Sequence, residues 1–128
     1  MKNGEFKVTR TTKGNPPGLP FEAIKNKILG RDHSLSLVFI ADARARALNK
    51  TYRRKDKAAD VLSFPLDKKD SEIFINLSEA RRQAKKNTDS LRRRVGFLFI
   101  HGLLHLKGMA HSSKMESEEK RMLEYFGI

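Results

Sequence analysis

From Glu5 to Thr9 apolar and polar residues alternate, and the period of two predicts a strand. Thr11 to Pro20 carries two glycines and three prolines and breaks the pattern into a loop. Phe21, Ile24, Ile28 and Leu29 recur at helical spacing, so a short amphipathic helix runs to Leu29 and stops at Gly30. Ser34 to Ile40 alternates, then becomes continuously apolar, as a half-buried strand does. Asp42 reads as the N-cap of a helix from Ala43 to about Thr51, with Ala47 and Leu48 facing inward. Tyr52 to Lys57 is polar and reads as a loop.

Val61 to Phe64 reads as a short strand whose pairing Pro65 limits, and Glu72 to Asn76 as another strand. Ser78 is the expected cap of a helix running to Lys86. After the break at Asn87 to Ser90, a long helix is expected from about Leu91 to Lys107. It is apolar on most sides through Val95, Phe97, Leu98, Phe99 and Ile100, so it is a buried helix. Ser112 and Ser113 offer caps for a last helix, with Met115, Met122, Leu123 and Phe126 on its apolar side. No repeat or linker divides the chain. The pattern predicts an α+β fold: one domain over residues 1–128, with a mixed four-stranded sheet, about five helices and a metal site at the end of the buried helix.

That metal site is read from the end of the long helix. His101 and His105 are four apart and share one helical face. Gly108 is a natural helix terminator, and a turn there brings His111 back towards them. Isolated, an i, i+4 histidine pair is more often ordinary helix surface or core. Here a third histidine and a glycine follow, and an unpartnered buried pair would be costly. Three imidazoles and one open position form the ligand set of a catalytic zinc, one ion per chain. His33, alone before a strand, reads as an ordinary loop histidine. The spacing also matches the metzincin protease signature H-E-x-x-H-x-x-G-x-x-H. However, the general-base glutamate of that signature is replaced by Gly102, which argues against peptide hydrolysis.

Charge narrows the partner. The chain of 128 residues has 27 Lys and Arg against 15 Asp and Glu, a formal net charge of +12. Clusters such as Arg53-Arg54-Lys55 and Arg92-Arg93-Arg94 favour a polyanion, most commonly nucleic acid, over charge that serves solubility alone. Aromatics are few, and the linear sequence shows no stacking platform, so phosphate contact is better supported than base readout. There is no cysteine, no membrane-length apolar run and no signal-peptide core, so a soluble cytoplasmic protein without a membrane partner is expected.

Two blocks carry a family resemblance. His101-Gly102-Leu103-Leu104-His105-Leu106-Lys107-Gly108-Met109-Ala110-His111 resembles the H-G-x-L-H-L-x-G-Y-D-H hallmark of the YbeY family of endoribonucleases, or rRNA maturation factors. Tyr52 to Pro65 resembles that family's Y-R-x-K-D-x-x-T-D-V-L-S-F-P. The resemblance covers nearly the whole chain. It implies a small α+β domain holding zinc through His101, His105 and His111, and a functional arginine at Arg53. It also implies cleavage of single-stranded RNA, tied to rRNA precursors and the ribosome. The chain departs from the family at Met109-Ala110 in place of Tyr-Asp, at Ala59 in place of threonine, and at Glu72, a longer carboxylate than the usual aspartate. No general base stands out; Glu72, Asp60 and Glu116 are candidates by availability. Two other readings compete: a metzincin-like protease, and a non-catalytic ribosome-binding factor whose metal is structural.

Overall fold

The fold is taken from a computed structural model, which describes residues 3–128. Four strands form one sheet in the order β1-β2-β4-β3: β1 (Phe6–Arg10), β2 (Ser34–Ile40), β3 (Val61–Asp67) and β4 (Asp70–Asn76). β1 with β2 and β2 with β4 are parallel, and β3 with β4 is antiparallel, so the sheet is mixed as the sequence predicts. Five helices connect and cover it: α1 (Phe21–Leu29), α2 (Asp42–Arg53), α3 (Leu77–Lys86), α4 (Leu91–Leu106) and α5 (Ser113–Tyr125). None is long and apolar enough to cross a membrane.

Register sorts the sheet residues into two faces, because successive side chains point oppositely. Leu37, Ile73 and Ser63 lie side by side across β2, β4 and β3. This face carries Leu35, Phe39 and Ile75 as well, and packs with Phe21, Phe99, Leu103 and Met122 in the main core. α4 lies in that core, which is why its sequence is apolar on most sides. The opposite face carries Val38, Leu62 and Phe74, covered by Ala45 and partly by Leu48 of α2. α2 leaves the next row, Lys7, Ser36, Glu72 and Phe64, only partly covered.

Several local expectations are corrected. Ala41, not Asp42, caps α2; Asp42 is its first residue and accepts hydrogen bonds from Asn76 and Arg82, at 2.8 and 2.6 Å. α3 is capped by the side chain of Asn76, which accepts from the Glu79 amide, rather than by Ser78. Pro65 does not end β3, which continues to Asp67 through an irregular register; β3 is an edge strand, where proline is tolerated. α2 extends through Tyr52 to Arg53, into the stretch expected to be loop. Lys25, on the presumed polar side of α1, is fully buried and donates to the carbonyls of Gly30, Arg31 and His33 at 3.3, 3.2 and 2.7 Å. Its ammonium thereby replaces water for three carbonyls at the turn into β2.

Candidate metal and phosphate site

The site begins where α4 ends. Ser90 caps the start of α4 by accepting from the Arg93 amide. At the other end, Gly108 takes φ +103°, a left-handed conformation open to glycine at no cost. The Met109 amide donates to the Leu104 carbonyl and the Gly108 amide to the His105 carbonyl, both at 3.0 Å. The chain turns back, and His111 comes to rest against His101 and His105, with ring centroids 5.0 and 4.7 Å apart.

Hydrogen bonding fixes the tautomers of the two helix histidines. His105 Nδ1 donates to the Met109 carbonyl oxygen at 3.1 Å, and a carbonyl can only accept. His101 Nδ1 donates to Glu119 Oε2 at 2.5 Å. In the neutral rings both Nε2 atoms are then lone-pair acceptors, and they face each other at 3.1 Å. Two lone pairs this close repel unless a cation lies between them. Two nitrogens each about 2.05 Å from a tetrahedral ion would sit roughly 3.3 Å apart, close to the separation seen. One ligand atom from each of the three histidines lies within 4.8 Å of the others. Burial is the largest cause that holds the His105 pKa below its ordinary value, which favours the neutral ring that metal ligation needs. The donor set fits a zinc-type ion, with three protein ligands among the described residues.

Gly102 sits between the first two ligands for a steric reason. A β-carbon there would lie 2.8 Å from Ser63 Oγ and 3.3 Å from methyls of Ile73 and Val61. Ser63 Oγ also donates to the Gly102 carbonyl at 3.1 Å. The helix presses against β3 at this point, so any side chain here would have to displace Ser63 or its neighbours. The chain has no metzincin glutamate at this position, which weighs against the protease reading.

Arg53 lines the same groove as the three histidines, a cavity of about 650 Å³ beside β3. Its position depends on the end of α2. Arg54 takes φ +56°, turning the chain out of the helix. Asn49 Nδ2 then donates to the Lys57 carbonyl, and Arg46 grips Asp56 with two hydrogen bonds, at 2.7 and 3.1 Å. Asp60 also lines the groove, but both its oxygens are engaged, by the Val61 amide and by Gln83. The other two general-base candidates lie elsewhere. Glu72 is on the opposite sheet face, lining a second groove, and Glu116 is in the exposed first turn of α5. His33 takes no part in the histidine cluster; its buried ring bonds Ser71 Oγ at 2.9 Å.

Two features around the histidines and the groove escaped the linear sequence. Glu119, 6 % exposed, reaches His101 across eighteen residues; the acidic run Glu116–Glu119 of an amphipathic helix gave no signal which carboxylate turns inward. Glu79 lines the groove as well, tied to Arg82 and Gln83.

Residues 19–126 match the family model described as endoribonuclease YbeY. The chain belongs to the YbeY family. A relative named endoribonuclease YbeY from Mycoplasma capricolum subsp. capricolum is 40 % identical over 104 residues, covering 73 % of this chain and 62 % of that protein. Another, from Acholeplasma laidlawii, is 42 % identical over 100 residues, covering 75 % and 72 %. The chain thus spans less than two thirds of the length of the Mycoplasma capricolum relative. A solution structure from Thermotoga maritima superposes with a TM-score of 0.67 at 24 % identity, covering 94 % of this chain and 87 % of that one, and so shares the fold. The histidines and Arg53 of this YbeY chain are the residues its two family-like sequence blocks bring to one groove.

Proposed function

We propose that this chain, as a single domain, is a zinc-dependent endoribonuclease that cuts single-stranded RNA and acts in the cytoplasm on rRNA precursors, in ribosome maturation and quality control. The name borne by its relatives supports RNA cleavage. The observation that supports the metal requirement is the convergence of His101 and His105 Nε2, 3.1 Å apart, with His111 beside them and each Nδ1 turned to an oxygen acceptor.

His101, His105 and His111 hold the ion. When bound, it supplies an activated water or a polarised phosphoryl oxygen. Arg53, which lines the same groove, binds the phosphate, and its fixed charge stabilises charge that grows as the phosphodiester breaks. A three-histidine set leaves one coordination position free, as catalytic rather than structural sites do; this weighs against a purely structural metal. The net charge of +12 supplies the longer-range attraction for the RNA backbone.

Elemental mass spectrometry of the wild type beside His105→Ala tests the metal, and cleavage of labelled single-stranded RNA with and without chelator tests its use. The expected result is about one zinc per chain, lost in the variant, and cleavage abolished by chelator. Cleavage that survives full metal removal sinks the mechanism.

A further inference from the structure

A second groove, of about 630 Å³, opens on the sheet face opposite the histidines. Its floor includes Glu72, Phe64 and Phe74; Lys7, Arg44 and Tyr52 also line it. It exists because α2 covers only part of that face. Tyr52, in the last turn of α2, leans on Phe64 with ring centroids 5.4 Å apart, and Phe64 in turn meets Phe74 edge-on at 5.9 Å. The tyrosine is backed by Phe64, itself held by Phe74, yet remains 67 % exposed. Sequence inspection finds no stacking platform because these rings come from α2, β3 and β4 and meet only in the fold.

The two grooves share a border. Tyr52 lines the second groove and its chain neighbour Arg53 the first, and both grooves flank the edge strand β3. We propose that Tyr52, backed by Phe64, stacks a nucleobase of the single-stranded RNA whose phosphate Arg53 holds, so that the strand crosses the end of α2 from one groove to the other. The inference rests on the RNA-cleaving reading above.

Charge selects this occupant. Lys7 and Arg44 line this groove, and the Arg53-Arg54-Lys55 run follows Tyr52 directly in the chain, with Arg53 and Lys55 lining the first groove; this suits a phosphate backbone. The carboxylate of Glu72 on the floor repels phosphate but accepts hydrogen bonds from base amino groups. The base therefore faces inward and the backbone runs along the rim. A base stacked on one tyrosine is held by its π-face, so the contact tolerates any sequence.

The test is fluorescence anisotropy with the metal-loaded protein and a short labelled 2′-O-methyl RNA, repeated with an abasic nucleotide placed at successive positions. Tyr52→Ala is expected to weaken binding roughly ten- to hundredfold, with Tyr52→Phe close to wild type. Tyr52→Leu keeps an apolar cover over Phe64 without an aromatic face, and is expected to bind as weakly as the alanine variant. One abasic position is expected to weaken wild-type binding by a similar factor and to leave Tyr52→Ala unaffected. The proposal is overturned if Tyr52→Ala and Tyr52→Leu bind the intact oligomer as the wild type does, which is also the result if the groove receives a protein segment. It is equally overturned if abasic substitution weakens the alanine variant as much as the wild type. Failure of the wild type to bind or cut RNA at all would instead remove the RNA-cleaving reading itself.

Discussion

Glu119 Oε2 lies 2.5 Å from His101 Nδ1, and that contact joins α5 to the metal-binding end of α4. A carboxylate there favours the proton on Nδ1 and so directs Nε2 towards His105 and His111, where an ion would be held. Glu119→Gln keeps an acceptor but loses the charge; Glu119→Ala loses both. Zinc affinity, measured by competition with a chelating dye, should fall about 10–100-fold in the alanine variant and less in the glutamine variant. Unchanged affinity in both would show that the carboxylate does not tune the site.

Arg53 is exposed and makes no core contact, so its removal should separate chemistry from stability. Arg53→Ala is expected to lose about 10²–10³ in RNA cleavage rate, with melting temperature and zinc content retained. Arg53→Lys should recover only part of the rate, since an ammonium cannot form the planar two-pronged phosphate contact. Cleavage at the wild-type rate in Arg53→Ala would remove the residue from the mechanism.

Gly102→Ala sets helix propensity against packing. Alanine favours a helix by about 1 kcal/mol over glycine. Its β-carbon, however, meets Ser63 Oγ at 2.8 Å and two branched side chains at 3.3 Å. Overpacking of this kind costs about 1–3 kcal/mol, so a net loss of stability is expected in urea unfolding. Ser63→Ala should partly rescue it. A stabilised Gly102→Ala would mean that β3 moves aside freely.

Lys25→Met should cost about 2–3 kcal/mol, because three carbonyls at the α1–β2 turn lose their shared donor. Thermal or urea unfolding reads this directly. A change below about 0.5 kcal/mol would mean that water replaces the ammonium without penalty.

His33 gives a pH dependence of defined sign. Burial, aided by the nearby Lys25 charge, pushes its folded pKa below the ordinary histidine value. The folded state thus binds fewer protons than the unfolded one near that pH. This contribution is fully present above the unfolded pKa of about 6.5 and is lost as pH falls from there through the folded value. Metal-free His33→Asn should therefore lose less stability than wild type between neutral pH and mildly acidic pH. Identical slopes would assign the whole effect to the clustered histidines, of which His105 shifts the same way.

The helix pattern and the histidine motif were legible because both are local. His101, His105, Gly108 and His111 lie within eleven residues, and helical geometry plus one glycine turn is enough to predict their meeting. The apolar run from Val95 to Ile100 likewise fixed the burial of α4. Lys25 and Glu119 were not legible. Each is a charged residue on an amphipathic helix, and which one turns inward depends on carbonyls or imidazoles that another element supplies. The caps at Asn76 and Ala41 were missed by one or two residues for the same reason: Asn76 and Ser78 are comparable local cappers, and the better capper Asp42 is drawn instead to Asn76 and Arg82, leaving Ala41 at the cap position with no side-chain bond.

The turn at Gly108 has a consequence for the order in which the site fails. His105 and His111 are joined by a short loop whose closure entropy is small, whereas Arg53 reaches the histidines only after some fifty residues of chain have folded. If the sheet edge loosens, Arg53 is expected to leave the groove before the histidines separate. Metal retention is therefore a poor surrogate for an intact enzyme in a partially denatured sample: zinc should remain in the protein over a range of denaturant in which RNA is no longer cut.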